Sequence, residues 1–69
     1  MLEKRSFSLS GHRTSVALEP EFWVVLEQIA AQRSQPVSAL VTGLDSARVE
    51  KQPLASALRV FALLNNNQR

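Results

Sequence analysis

Residues 12–32 read His-Arg-Thr-Ser-Val-Ala-Leu-Glu-Pro-Glu-Phe-Trp-Val-Val-Leu-Glu-Gln-Ile-Ala-Ala-Gln, and two periodicities meet inside them. Over 12–18 the pattern alternates. Thr14, Val16 and Leu18 fall on one side of an extended chain, and Arg13, Ser15 and Ala17 on the other. β-Branched Thr14 and Val16 favour that extended form, so the run predicts a short strand with one buried face. From residue 19 the period becomes helical. Pro20 suits a first helical position, and Glu19 and Glu21 suit the positive end of a helix dipole. Phe22, Val25, Leu26, Ile29 and Ala30 then recur at the spacing of one helix face. The helix is expected from Pro20 to Arg33, with Trp23 beside the stripe and half exposed.

Downstream, Ser34-Gln35-Pro36 breaks the helix, because a residue before proline resists the α conformation. Val37, Leu40, Val41 and Leu44 give a second helix that fades near Arg48 to Lys51. Gly43 inside it costs up to about 1 kcal/mol against alanine; it serves close helix packing or is simply tolerated. Gln52-Pro53 opens a third helix with Leu54, Ala57, Leu58, Phe61 and Ala62 on its stripe. Val60, Leu63 and Leu64 lie off that stripe, so this helix is apolar over a wide arc and is expected to touch two neighbours or a partner chain. Asn65 to Arg69 is a polar tail expected to fray. Upstream, Phe7 and Leu9 alternate with serines, but at odd positions, whereas the run at 12–18 is apolar at even ones. The register is expected to slip at Gly11 through a turn or bulge. Residues 1–11 are therefore an N-terminal arm or an extra strand, ahead of one domain over 12–69.

A chain of 69 residues makes one domain. It buries only about 60% of its unfolded surface, and such chains usually need a disulfide, a metal or a partner. There is no cysteine and one histidine, His12, so no disulfide, metal site or other cofactor is expected. With 45% hydrophobic residues, association into a homodimer is the remaining support. Enzyme chemistry is not expected: there is no glycine-rich phosphate loop, no tyrosine, no cysteine nucleophile and no catalytic constellation. No apolar run reaches the roughly 18–20 residues that span a membrane, and Met1 to Ser10 lacks the apolar core of a signal peptide. A cytoplasmic protein is the expectation. Charge is segmented. Residues 1–18 carry Lys4, Arg5 and Arg13 against Glu3, whereas residues 19–34 carry Glu19, Glu21 and Glu27 against Arg33. A dimer doubles the field of the basic segment.

One strand followed by helices cannot close a sheet, and its backbone groups need partners. Pairing with the same strand of a second chain answers this, giving a mainly α fold: a two-fold antiparallel ribbon, two core helices and a third helix. Arg13, Ser15 and Ala17 of each chain then point outward, and a two-stranded ribbon fits the major groove of B-DNA.

The run from Thr14 to Val41 resembles the ribbon-helix-helix DNA-binding domains of the Arc and methionine repressor type. Gly11 to Trp23, together with Leu-Ala-Ser-Ala-Leu-Arg-Val-Phe at 54–61, is similar to a family of short bacterial ribbon-helix-helix proteins. The resemblance implies that Arg13, Ser15 and Ala17 face the groove. It also implies that the amides opening the second helix, at Gln35, Val37 and Ser38, bind a DNA phosphate. Ala17 stands where relatives are often polar, leaving it contact with a thymine methyl, and Ser34 stands where a glycine commonly ends the first helix. Lys4 and Arg5 are candidates for a phosphate-binding arm. The function expected is sequence-specific binding of double-stranded DNA, as a transcriptional repressor. The alternative is a protein-interaction module on the same fold, an antitoxin or dimeric adaptor with an unknown protein partner. The short, apolar-patterned segment after the second helix speaks against the long polar tail of an antitoxin.

Overall fold

The computed structural model describes residues 1–66. Two strands, β1 (Glu3–Leu9) and β2 (His12–Leu18), form an antiparallel hairpin; three helices follow, α1 (Pro20–Gln32), α2 (Val37–Ala47) and α3 (Leu54–Leu64). The hairpin turns on Ser10 and Gly11, with φ of 51° and 81°. Two successive residues with positive φ give the backbone twist of a type I′ hairpin turn, and glycine adopts it freely. The turn sets Leu9 opposite His12, and the ladder runs on to Glu3 opposite Leu18.

This ladder corrects one expectation and decides another. Residues directly opposite one another share a face, so a two-residue reversal puts the odd positions of β1 with the even positions of β2. The change of parity at Gly11 therefore needs no slip or bulge. Of the two readings of the N-terminal segment, it is the extra strand that forms, and it takes one edge of the strand at 12–18 within the same chain.

Phe7, Leu9, Val16 and Leu18 face the helices and are buried. Beneath them lie Trp23, Leu26, Ile29 and Ala30 of α1, Leu40 and Val41 of α2, and Leu54, Leu58 and Ala62 of α3, in one core. No described polar or charged residue is buried, so the one side-chain polar group taken into the core is the Trp23 indole N–H, which needs a partner. Trp23 is 1% exposed rather than half exposed. β1 lies over it: the indole Nε1–H donates to the Glu3 carbonyl at 2.8 Å, and its ring sits 5.9 Å from that of Phe7. Phe22 and Val25, expected on the buried stripe, are instead partly buried.

The helix ends follow from their local sequence. After α1 the Gln35 amide donates to the Ala30 carbonyl and the Ser34 amide to that of Ala31, both at 3.0 Å. This is the Schellman closure, which requires a left-handed residue; Ser34 supplies it with φ 55°, without the freedom of glycine. A Cβ added at Gly43 would meet nothing within 4 Å, so no close packing within the chain explains that residue. Helix α3 packs on β2, α1 and α2 of its own chain. Arg59 on α3 is paired with Glu19 at 2.9 Å. The Glu19 carboxyl is held below its ordinary pKa by its own backbone amide and then by Arg59. That contribution is present at neutral pH and fades as acid protonates the group. Asp45 pairs with Arg48 at 2.9 Å, a structural role. Val60, Leu63 and Leu64 stay exposed. Asn65 is not frayed: its backbone and side-chain amides both donate to the Phe61 carbonyl. Residues 67–69 of the expected tail lie outside the described residues.

Two substitutions test this packing with opposite signs. Leu58 is fully buried, so Leu58→Ala is expected to lower unfolding free energy by about 2–5 kcal/mol. Ser34→Gly relieves a left-handed side chain and is expected to raise it by about 0.5–1 kcal/mol, after the extra entropy of the unfolded glycine. Urea midpoints read both.

Candidate nucleic-acid interface

The face of the hairpin turned away from the helices is built by three cross-strand pairs: Lys4 with Ala17, Ser6 with Ser15, and Ser8 with Arg13. It holds two cations, three hydroxyls and a methyl, and no carboxylate. The hydroxyls of Ser6 and Ser15 lie 3.1 Å apart, and Arg13 Nη1 donates to Ser8 Oγ at 3.2 Å. Lys4 makes no ion pair among the described residues. The surface is thus a small cationic plate whose hydroxyls are ordered by each other and by Arg13.

The backbone adds directionality. In a two-residue hairpin the residues flanking the turn are hydrogen-bonded to each other, and bonded and non-bonded pairs then alternate. By that alternation Leu9–His12, Phe7–Thr14, Arg5–Val16 and Glu3–Leu18 are the bonded pairs. The amides and carbonyls of Arg13, Ser15 and Ala17 therefore point to the other edge of β2. No described strand lies along that edge.

The structure brings together Arg13, Ser15, Ala17 and Lys4, and sets Arg5 apart. Arg5 faces the helices. Its guanidinium stacks 4.7 Å from the Trp23 ring centroid and pairs with Glu27 at 2.7 Å and Glu3 at 2.8 Å. Hydrogen bonds to Glu27 and then Glu3 raise its pKa above the ordinary value. Gln35, Val37 and Ser38 sit on a separate element, the corner between α1 and α2. No side chain caps α2, and the amides of Val37 and Ser38 are open to an anion, whereas the Gln35 amide, expected to join them, is already donated to the Ala30 carbonyl and that of Ala39 to the Pro36 carbonyl. Gln35 lines a shallow groove there with Arg33, Ala39 and Leu40. His12 stands beside the turn opposite Leu9, and no described His, Cys, Asp or Glu cluster could hold a metal. Ser6 and Ser8 are the residues that sequence reasoning missed. Their signal was the alternation of serines with Phe7 and Leu9, legible only once the reversal at Gly11 is known.

The profile of the ribbon-helix-helix domain matches residues 2–65, from the start of β1 to the end of α3. The chain belongs to the ribbon-helix-helix family. Its fold is a DNA-binding rather than an enzymatic one, found in regulators and in antitoxin-type proteins. No curated protein matches the chain. Among solved structures it is similar to an uncharacterized protein from Bordetella pertussis Tohama I, with 35% identity and a TM-score of 0.77. The match covers 91% of this chain and 54% of that one, so the chain spans about half of that protein's length. Among the described residues of this ribbon-helix-helix chain, no helix is long and apolar enough to cross a membrane.

The placement of Arg5 carries a prediction. Arg5→Ala removes a stacking contact and two part-exposed ion pairs, together worth about 1–2 kcal/mol. It is expected to lower the melting temperature and shift Trp23 emission to the red as water reaches the indole. An unchanged melt and emission would mean that Arg5 is not part of the Trp23 cover.

Proposed function

We propose that the protein is a sequence-specific DNA-binding regulator, acting as a repressor on double-stranded DNA in the cytoplasm. Two chains pair antiparallel along the free edges of β2, and the outward face of the sheet enters the major groove. The observation that carries this reading is the outward face itself: Arg13, Ser15 and Ala17 project from it side by side, free of any carboxylate, above a fully apolar core. Arg13 bonds a guanine edge, Ser15 a base or phosphate, and Ala17 a thymine methyl. The uncapped amides of α2, at Val37 and Ser38 beside Gln35, take a phosphate on each flank. Arg5 is left out of the contact set because Glu3, Glu27 and Trp23 already hold it.

The open edge of β2 and the small core support the homodimer. Full overlap of two seven-residue strands centres the two-fold axis on Ser15. Its open backbone groups make Ser15 and its copy a hydrogen-bonded pair, with Cα atoms about 5.5 Å apart. One observation favours a protein-binding role, as antitoxin or adaptor: Val60, Leu63 and Leu64 are exposed near the end of α3.

Two measurements test the reading. The chain has no cysteine, and the separation expected at Ser15 lies within disulfide range. Ser15→Cys is therefore expected to give a cross-linked dimer under mild oxidation; a folded variant that stays monomeric removes the β2 seam. Arg13→Ala is expected to lose about 1–3 kcal/mol of discrimination between a selected duplex and a scrambled one. If the parent binds no DNA even at low salt, the protein-interaction reading takes its place.

A further inference from the structure

The hairpin gives each chain a second strand on the outward face, and its position differs from that of β2. If β2 edges join at the two-fold axis, β1 and its copy are the outermost strands of a four-stranded sheet. Neighbouring strands lie about 4.8 Å apart, which separates the two β1 backbones by about 14 Å. The major groove is about 12 Å wide. The β2 strands fit between its walls, and the β1 strands meet the walls, where the phosphates run. The side chains that β1 presents there are Lys4, Ser6 and Ser8. A lysine ammonium and serine hydroxyls are common phosphate-binding groups, and contacts to phosphate carry no sequence information.

We infer that β1 is the phosphate-binding strand of the sheet, seating Lys4, Ser6 and Ser8 on the DNA backbone while β2 reads the bases. This rests on the DNA-binding reading above and divides its labour. Charge supports the occupant: Lys4 has no ion-pair partner among the described residues, and its face carries no carboxylate. Hydrogen-bond inventory supports it as well. Ser8 Oγ accepts from Arg13 Nη1 at 3.2 Å, which leaves its O–H free to donate to a phosphate oxygen. Ser8 thereby links the two rows, fixing the Arg13 guanidinium relative to the backbone that the strand grips. It is a positioning residue for Arg13.

The test uses the full chain and two duplexes, one selected from a random pool and one scrambled, over a salt series. Lys4 and Ser8 are exposed, and a melting curve of each variant checks that it folds. Lys4→Ala removes two phosphate contacts per dimer. It is expected to weaken both duplexes alike, by about ten- to thirtyfold near 0.15 M salt, and to flatten the log–log salt slope by about 2. Ser8→Ala is expected to lower the selected-to-scrambled ratio severalfold, because Arg13 loses its anchor, and Ser8→Thr to restore it. If Lys4→Ala leaves the salt slope unchanged, or weakens the selected duplex alone, the phosphate role of β1 is overturned. If Arg13→Ala loses discrimination in the same series while all β1 variants bind as the parent does, this inference alone fails. A parent that binds neither duplex overturns the DNA reading along with it.

Discussion

The pairing of β1 with β2 through the Ser10–Gly11 turn is the constraint on which the rest of the structure depends. A reversal of two residues, both with positive φ, decides which side chains share a face. It sends Phe7 and Leu9 to the same side as Val16 and Leu18, where the helices cover them. The same parity leaves Lys4, Ser6 and Ser8 on the side of Arg13, Ser15 and Ala17. A reversal longer by one residue would put Phe7 and Leu9 in water and the serines in the core. One turn thus sets both the apolar roof over the helices and the polar plate above it.

The roof is then fastened at particular atoms. Trp23 Nε1 reaches the backbone of β1 at Glu3, and Arg5 covers the indole while pairing with Glu27 of α1. These contacts join the first residues of β1 to α1. A charge that a sequence scan assigns to a basic arm is absorbed by the fold, and the outward field rests on Lys4 and Arg13. The far side of the core is closed by α3, whose Leu54, Leu58 and Ala62 sit against β2 and both other helices. The Arg59–Glu19 pair ties α3 to the residue that opens α1.

Much of this was legible in the residues. The alternation at 12–18, the helical spacing from Phe22 to Ala30, and the prolines at 20, 36 and 53 locate the strand and three helices to within a residue or two. The outward row of Arg13, Ser15 and Ala17 follows from the same alternation. What was not legible depends on how segments meet. Strand periodicity cannot tell a bulge from a reversal, so the alternation alone does not show that residues 3–9 pair with β2. Trp23 lies off the helical stripe, and only the strand above it explains its burial. Arg5 and Lys4 are neighbours in sequence, yet opposite faces of a strand give them opposite roles.

The DNA-binding role proposed for the chain places the duplex on the outward face of the hairpin, with the open start of α2 at its flank. Backbone amide shifts followed by NMR, as a duplex selected from a random pool is added, test it most directly. The account expects the largest changes at Lys4, Ser6, Ser8, Arg13, Ser15 and Ala17, with a second group at Val37 and Ser38. Changes gathered instead around Val60, Leu63 and Leu64, with the hairpin silent, would contradict it.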